Sequence, residues 1–473
     1  MKRILCAVSL CVFTCACYVP NRSYRVGKSI VQVPKDPTAP SPPQPDCVPE
    51  KRPCLAFVEF DEKGEAWDMG QTDKALDLID RTAKRNPRLT VIAFVHGWKN
   101  NAGETPGNNV SAFQQALNGL AETYCPGADN CNHPIVGVYL SWRGDLVPKY
   151  WPLRRQLSYF NRETTARDVS GPAMTDTLSQ MILRMRRVAS EHGTLVLVGH
   201  SFGGLILERA LSQVMTGYIA EVDEAEKQRS DPRNANEALR IKPQPPADLI
   251  AFVNSAAAAS EAKQMLDLLK KKGASFGHDG LSRPLFVSLS SLGDAATRFG
   301  LPIGHGVPYL AANMRGSWRA DDRPYGYSKP VSQASFFLST AAHMELLQSH
   351  AITTLDNCAA RLPGTSAMLV RSKPDEYIVQ DEHGLPKKAP DGVALNAGEF
   401  ARIRLPEGGL CFSVGEKEGR WNDTPYWLMQ MPASIVPDHS TIFTTNFMRL
   451  LAAFIPPPTE LQPERSSMSM SAK

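Results

Sequence analysis

Across the middle of this chain, runs that are almost entirely apolar alternate with amphipathic stretches. Leu55–Phe60, Thr90–Val95 (TVIAFV), Ile135–Ser141 and Thr194–Val198 (TLVLV) read as strands, several of them apolar on both faces, as parallel strands covered by helices must be. Thr72–Arg85 and a stretch from about Thr175 to Glu191 read as helices. The pattern repeats in Leu249–Asn254 (LIAFVN) with an Ala-rich helix behind it, and in Leu285–Leu289 (LFVSL) followed by Ser290-Ser291-Leu292-Gly293-Asp294. Strictly alternating strands and helices predict an α/β fold with a mostly parallel central sheet, helices on both faces and right-handed crossovers.

The alternation stops at about Leu301 and resumes near Tyr426. Between them lie short β-like runs, Met368–Val370, Tyr377–Val379, Phe400–Arg404 and Leu410–Val414, separated by Gly and Pro. Residues 301–426 therefore read as an inserted lid or accessory β-rich segment that splits a core of residues 55–300 and 427–455. Trp427–Met431 supplies the last core strand, Ile442–Ile455 the closing amphipathic helix, and residues 456–473 a Pro- and Ser-rich tail.

The N-terminus follows a different logic. Lys2 and Arg3 precede an apolar run from Ile4 to Ala16, too short to span a bilayer as a mature helix, so residues 1–16 read as an export signal. Its Thr14-Cys15-Ala16-Cys17 ending resembles the lipobox of bacterial lipoproteins, with Cys17 as the lipidated residue, Cys15 as a competitor and plain secretion as the alternative. The expected location is the bacterial envelope, anchored by lipid and facing the periplasm, at the outer membrane in preference to the inner. Pro20–Pro53 holds nine prolines and little apolar content, so residues 17–54 read as a stiff tether.

Export changes the meaning of the cysteines. Beyond the four at or before position 17 stand Cys47, Cys54, Cys125, Cys131, Cys358 and Cys411, an even number in three neighbouring pairs, expected as disulfides 47–54, 125–131 and 358–411 in an oxidising compartment. None has the spacing of a zinc site, so no metal is expected. With 52 basic and 48 acidic residues and no basic stripe, nucleic acid is an unpromising partner.

Candidate chemistry gathers where strands end. Ser201 lies in Gly199-His200-Ser201-Phe202-Gly203-Gly204, between a buried strand and the helical run Leu205–Val214. That is the context of a nucleophile elbow, whose turn is so tight that Gly199 and Gly203 must lack side chains. A serine needs a base, and of six downstream histidines His439 alone follows the last core strand, in Ile435-Val436-Pro437-Asp438-His439-Ser440. His278, His305, His343, His350 and His383 fall in loops, helix or the insertion and read as surface or packing residues. The orienting acid is expected at Asp294, past the strand that follows Leu249–Asn254, with Glu261 as runner-up. Backbone N–H groups of Phe202 and Trp98, the latter after His96-Gly97, are expected to form an oxyanion hole. Trp98, Phe202 and Trp142 suggest an apolar acyl pocket, although Trp142 is equally readable as core.

The segments FVHGWKNNA, YLSWRG, LVGHSFGG, FVNSAAAA, SLGDAAT and IVPDHS together resemble a bacterial family of α/β-hydrolases known mainly as esterases and lipases. The resemblance covers about Cys54 to Thr297 and Trp427 to Ile455. It implies hydrolysis of a small-molecule or lipid carboxylic ester without a cofactor, with Ser201, Asp294 and His439 as the triad. A polar insertion at Glu221–Pro246 and the long 301–426 segment depart from a minimal member and leave the substrate open. An amidase or peptidase with the same triad, and a silent lipoprotein scaffold, are the alternatives. Oligomeric state is not legible.

Overall fold

A computed structural model of the chain describes residues 19–302 except 37–38, 40, 104–108, 126–130, 148–150, 189–192, 231–242 and 273–283, then 333–344, 347–348, 350–354, the strands between 367 and 414, and 425–455. In chain order the first elements are β1 (Ile30–Gln32), β2 (Cys54–Glu59), α1 (Met69–Arg85), β3 (Thr90–Val95), α2 (Asn109–Tyr124), β4 (Ile135–Ser141), α3 (Pro152–Val169) and α4 (Pro172–Val188). Then come β5 (Thr194–His200), α5 (Phe202–Ser230), β6 (Leu249–Val253), α6 (Ala259–Lys272), β7 (Phe286–Ser291), a π-helical turn at Ala296–Gly300 and α7 (Gln333–Phe337).

The later strands are β8 (His350–Thr354), β9 (Ala367–Leu369), β10 (Tyr377–Gln380), β11 (Pro386–Lys387), β12 (Val393–Leu395), β13 (Phe400–Leu405) and β14 (Gly408–Val414). β15 (Tyr426–Met431) and α8 (Thr445–Phe454) follow. Strands β8, β10, β11, β13 and β14 form an antiparallel sheet in the order β11-β10-β13-β14-β8, and β9 pairs with β12.

The main sheet has eight strands in the order β1-β2-β4-β3-β5-β6-β7-β15. All its pairs are parallel except β1 with β2. Its side chains alternate between two cores, which explains why β3 reads as uninterrupted apolar sequence. Val91, Ala93 and Val95 face the cluster built by α1, α4, α5 and α6, whereas Ile92 and Phe94 face Val110, Phe113 and Leu117 of α2 and Phe447, Leu450 and Phe454 of α8. Helix α1 starts where Asp68 caps it, its carboxylate accepting from the Gly70 N–H at 2.9 Å, and carries Lys84 and Arg85 in its last turn, where the helix dipole favours cations. The chain is thus an α/β protein.

The expected tether is corrected by the fold. Residues 30–32 form an edge strand on β2, Val31 and Val33 are fully buried, and the Glu59 carboxylate accepts from the Ser23 hydroxyl and the Tyr24 and Arg25 backbone N–H groups. The body therefore starts near Val19 rather than Cys54. The prolines misled because proline is tolerated at a sheet edge, where it withholds no ladder hydrogen bond. A Cys47–Cys54 disulfide staples this segment to β2, and Cys125–Cys131 closes the loop after α2. Cys358 and the Cys411 side chain lie outside the described residues, as does Cys17. Among the described residues no helix is long and apolar enough to cross a membrane.

Candidate active site

Strand order determines where a ligand fits. From β3 the chain crosses to β4 on one side, and from β5 it crosses to β6 on the other. The loops leaving β3 and β5 therefore diverge, opening a crevice beyond the carboxyl ends of two adjacent parallel strands. Ser201 lies at one lip of it and His96-Gly97-Trp98 at the other.

Ser201 has φ 56°, in the left-handed region, as the sharp turn from β5 into α5 demands. The turn is locked from its backbone: the Ser201 N–H donates to the Val253 carbonyl at 3.1 Å, and its own carbonyl accepts from Gly204 at 2.9 Å and Ala256 at 3.0 Å. A Cβ on Gly203 would fall 2.0 Å from the Val95 carbonyl oxygen, and one on Gly199 would fall 2.6 Å from the Gly203 carbonyl oxygen. Both glycines are thus required by backbone packing.

Three residues separated by up to 238 positions converge here. His439 Nε2 is 2.8 Å from Ser201 Oγ, and His439 Nδ1 is 2.9 Å from Asp294 Oδ1. Burial alone would raise the Asp294 carboxyl. The His439 hydrogen bond and charge, with the Thr297 backbone N–H at 3.0 Å and the Thr297 hydroxyl, outweigh it and hold the pKa below the usual value. An ionised Asp294 only accepts, so Nδ1 carries the His439 proton and Nε2 presents a lone pair to the serine hydroxyl. Glu261, the alternative acid, is instead paired with Arg167 at 3.1 Å and Arg209 at 3.7 Å.

Behind Asp294 the chain of hydrogen bonds continues to His343, one of the histidines read from the sequence as surface or packing residues. The Thr297 hydroxyl donates to Asp294, so it accepts from His343 Nε2 at 3.1 Å, and this ring is a neutral N–H donor whose pKa burial lowers. His200 and Asn254 were also missed. His200 Nε2 donates to the His439 carbonyl at 2.6 Å, Asn254 Nδ2 reaches the same carbonyl at 3.3 Å, and Asn254 Oδ1 accepts from Ser291 at 2.8 Å. Burial, reinforced by the nearby His439, drives His200 down to about 3, so it stays neutral. The only available signal was its place inside the elbow motif, since its partner is 239 residues away.

The turn from His96 to Trp98 is oriented by the His96 ring. Its Nε2 accepts from the Trp142 backbone N–H at 3.1 Å, so Nδ1 bears the proton and donates to the Gly97 carbonyl at 2.9 Å. Burial lowers its pKa to about 4. The trans peptide then aims the Trp98 N–H opposite to the Gly97 carbonyl, which lies against Gly144. On the other side Gly97 abuts Ser201, with a notional Cβ 2.6 Å from its Cβ. Among the described residues neither the Trp98 nor the Phe202 backbone N–H has an acceptor, and Phe202 opens the 29-residue α5, whose positive dipole end adds to the field.

The expected acyl pocket needs correction. Phe202 and Trp142 are each 1% exposed: Trp142 stacks on His96 and donates its indole N–H to the His96 carbonyl, and Phe202 packs edge-on to it. Both rings are core, packed behind the turn from His96 to Trp98. Only Trp98 keeps a partly open ring, resting on Tyr159 with its indole N–H on Ser158 at 3.1 Å.

His350 lies in β8, its side chain not described, and His278, His305 and His383 lie outside the described residues. Among the described residues no cluster of His, Cys, Asp or Glu is arranged to hold a metal ion. The chain matches no known family model, curated protein or solved structure.

Proposed function

We propose that this chain is a serine hydrolase of the α/β-hydrolase type that cleaves carboxylic esters through an acyl-enzyme on Ser201, in the bacterial envelope and anchored at Cys17. The observation that carries the reading is the continuous relay from Asp294 through His439 to Ser201, with contacts of 2.9 and 2.8 Å, beside two N–H groups that lack acceptors among the described residues.

In this reading His439 Nε2 takes the hydroxyl proton as Ser201 Oγ bonds to the ester carbonyl carbon. The negative oxygen is received by the Trp98 and Phe202 N–H groups, each such donor contributing on the order of 10²–10³ in rate. The C–O bond then breaks, the alcohol leaves with the proton held by His439, and water repeats the sequence to free the acid. Asp294 keeps its charge and steadies the imidazolium.

Incubation of the full chain with a fluorophosphonate, followed by digestion and mass measurement, tests this. An adduct on Ser201, together with p-nitrophenyl ester hydrolysis abolished by Ser201→Ala, is the expected result. No adduct, or equal hydrolysis by wild type and Ser201→Ala, overturns the reading and favours a scaffold.

A further inference from the structure

We propose that the face bearing the mouth of this site rests on a lipid bilayer, and that its ester is taken from that bilayer; the chemistry rests on the hydrolase reading, the surface on separate observations. The first is helix α3. Its exposed positions after the first turn are Gln156, Leu157, Phe160, Asn161 and Thr164, a stripe without a single charge, and Leu157 is 62% and Phe160 43% exposed. Trp151, just before the helix, is 42% exposed. A helix face turned to water ordinarily carries charged residues.

Position gives this stripe a meaning. Helix α3 is tied to the turn that carries Trp98: Ser158 accepts from the Trp98 indole, and the Arg155 guanidinium reaches the Lys99 carbonyl at 3.5 Å. Across the crevice, Leu292 and Phe299 flank Asp294 with exposures of 48% and 61%. Large apolar side chains are thus exposed both on the helix tied to Trp98 and on the segment that carries Asp294.

The chain's own path names the occupant. The Val19 N–H donates to the Leu146 carbonyl at 2.9 Å, and the Arg143 guanidinium binds the Val19 carbonyl. Both partners belong to the loop whose Gly144 presses on the Gly97 carbonyl. Cys17 is two residues away and so at most about 7 Å further. A lipid on Cys17 would thus leave the chain close to this loop, and the loop is tied to the helix that exposes Leu157 and Phe160, the Arg162 guanidinium donating to the Arg143 carbonyl at 2.6 Å. A lipid on a flexible terminus tethers a protein without fixing which face meets the bilayer, and an apolar surface buried at the interface adds binding in proportion to its area. The exposed apolar residues of α3 supply that orientation.

The test uses the full chain in vesicles of phosphatidylethanolamine and phosphatidylglycerol with brominated acyl chains. Bromine should quench wild-type fluorescence more than that of Trp151→Phe. The double variant Leu157→Glu/Phe160→Glu should lose that difference. It should hydrolyse a water-soluble butyrate ester within twofold of wild type but a bilayer-borne ester at least tenfold more slowly. Equal quenching of wild type and Trp151→Phe overturns the surface, and a parallel fall on both esters overturns the lipid substrate. A detergent-solubilised dimer that the double variant converts to monomer, with quenching unaltered, assigns these apolar residues to a second copy and also sinks the proposal. Ser201→Ala separates the two readings: it should keep the quenching and lose both activities, and if it retains both activities the hydrolase reading fails while quenching still decides the surface.

Discussion

The imidazole of His200 holds the backbone of His439: its Nε2–H donates to the His439 carbonyl at 2.6 Å, while the two rings lie 5.0 Å apart. The residue before Ser201 therefore holds the backbone that carries the His439 ring. Replacing His200 by Ala leaves only the weaker Asn254 contact on that carbonyl, and a displacement of about 1 Å can cost on the order of 10²-fold in rate. His200→Ala should lower kcat by roughly 10- to 100-fold and leave KM within about threefold, because ester binding does not involve this bond. Steady-state kinetics on a p-nitrophenyl ester decides it; a KM effect with kcat intact would remove His200 from this role.

Gly97 and Gly119 should respond in opposite ways to the same change. A methyl on Gly97 falls 2.6 Å from Ser201 Cβ and 2.9 Å from the His200 carbonyl oxygen, so the turn from His96 to Trp98 must retreat from the serine. Gly97→Ala should cost about 10²-fold or more in kcat/KM, on the scale of one lost oxyanion donor. Gly119, exposed within α2, meets nothing within 4 Å, and Gly119→Ala should stabilise the protein by about 0.5–1 kcal/mol with activity unchanged. Melting temperatures and kinetics of the pair, measured side by side, check both.

What the sequence disclosed follows from range. Ser201, Gly199 and Gly203 form one local turn whose steric demands are written into six consecutive residues, and Asp294 and His439 could be placed because strand ends of a parallel sheet share one edge. His200, Asn254 and His343 act through partners 239, 185 and 46 residues away, and no local pattern encodes those meetings. Edge strand β1 was hidden because three residues among prolines carry too little periodicity. Helix α3 was hidden because its polarity is inverted: Arg162 is buried, paired with Glu62 at 3.0 Å, while Leu157 and Phe160 face outward.

Acid should begin to destabilise this protein above the ordinary carboxylate range, through two buried histidines. His96 and His200 are buried, with pKa values near 4 and 3 against about 6.5 when unfolded. Between those limits the unfolded chain binds more protons, so stability falls as pH drops through 6.5, by about 1.4 kcal/mol per pH unit for each histidine. Asp294, its carboxyl held low, adds stability that is lost only when pH falls below the ordinary carboxylate range. Burial raises the Glu208 carboxyl to about 8, so it opposes one histidine in this window. Urea midpoints between pH 6 and 5 should show a net loss of about 1 kcal/mol per unit, and His200→Asn should remove most of it even if it is less stable throughout. A flat profile in that window would mean the two rings are not buried neutral.

The last prediction separates the two jobs of Asp294. Its charge fixes which nitrogen of His439 carries a proton; its second oxygen only needs a donor, which Thr297 supplies. Asn at 294 keeps the shape, but its amide N–H can donate to Nδ1, stabilising the tautomer in which Nε2 bears the hydrogen and cannot take one from Ser201. That reverses the relay at its active end, so Asp294→Asn should lower kcat on the order of 10⁴-fold, the size seen when a triad acid is neutralised. Thr297→Val, by contrast, leaves the tautomer intact and strands one buried carboxylate oxygen, at about 1–3 kcal/mol of stability. It should reduce kcat far less, about tenfold, and raise the Asp294 pKa towards the ordinary carboxylate value. Kinetics of both variants, with the acid limb of thermal stability for Thr297→Val, test the division. If Asp294→Asn stays within tenfold of wild type, tautomer control is not what this carboxylate does, and the relay from Asp294 to Ser201 loses its first link.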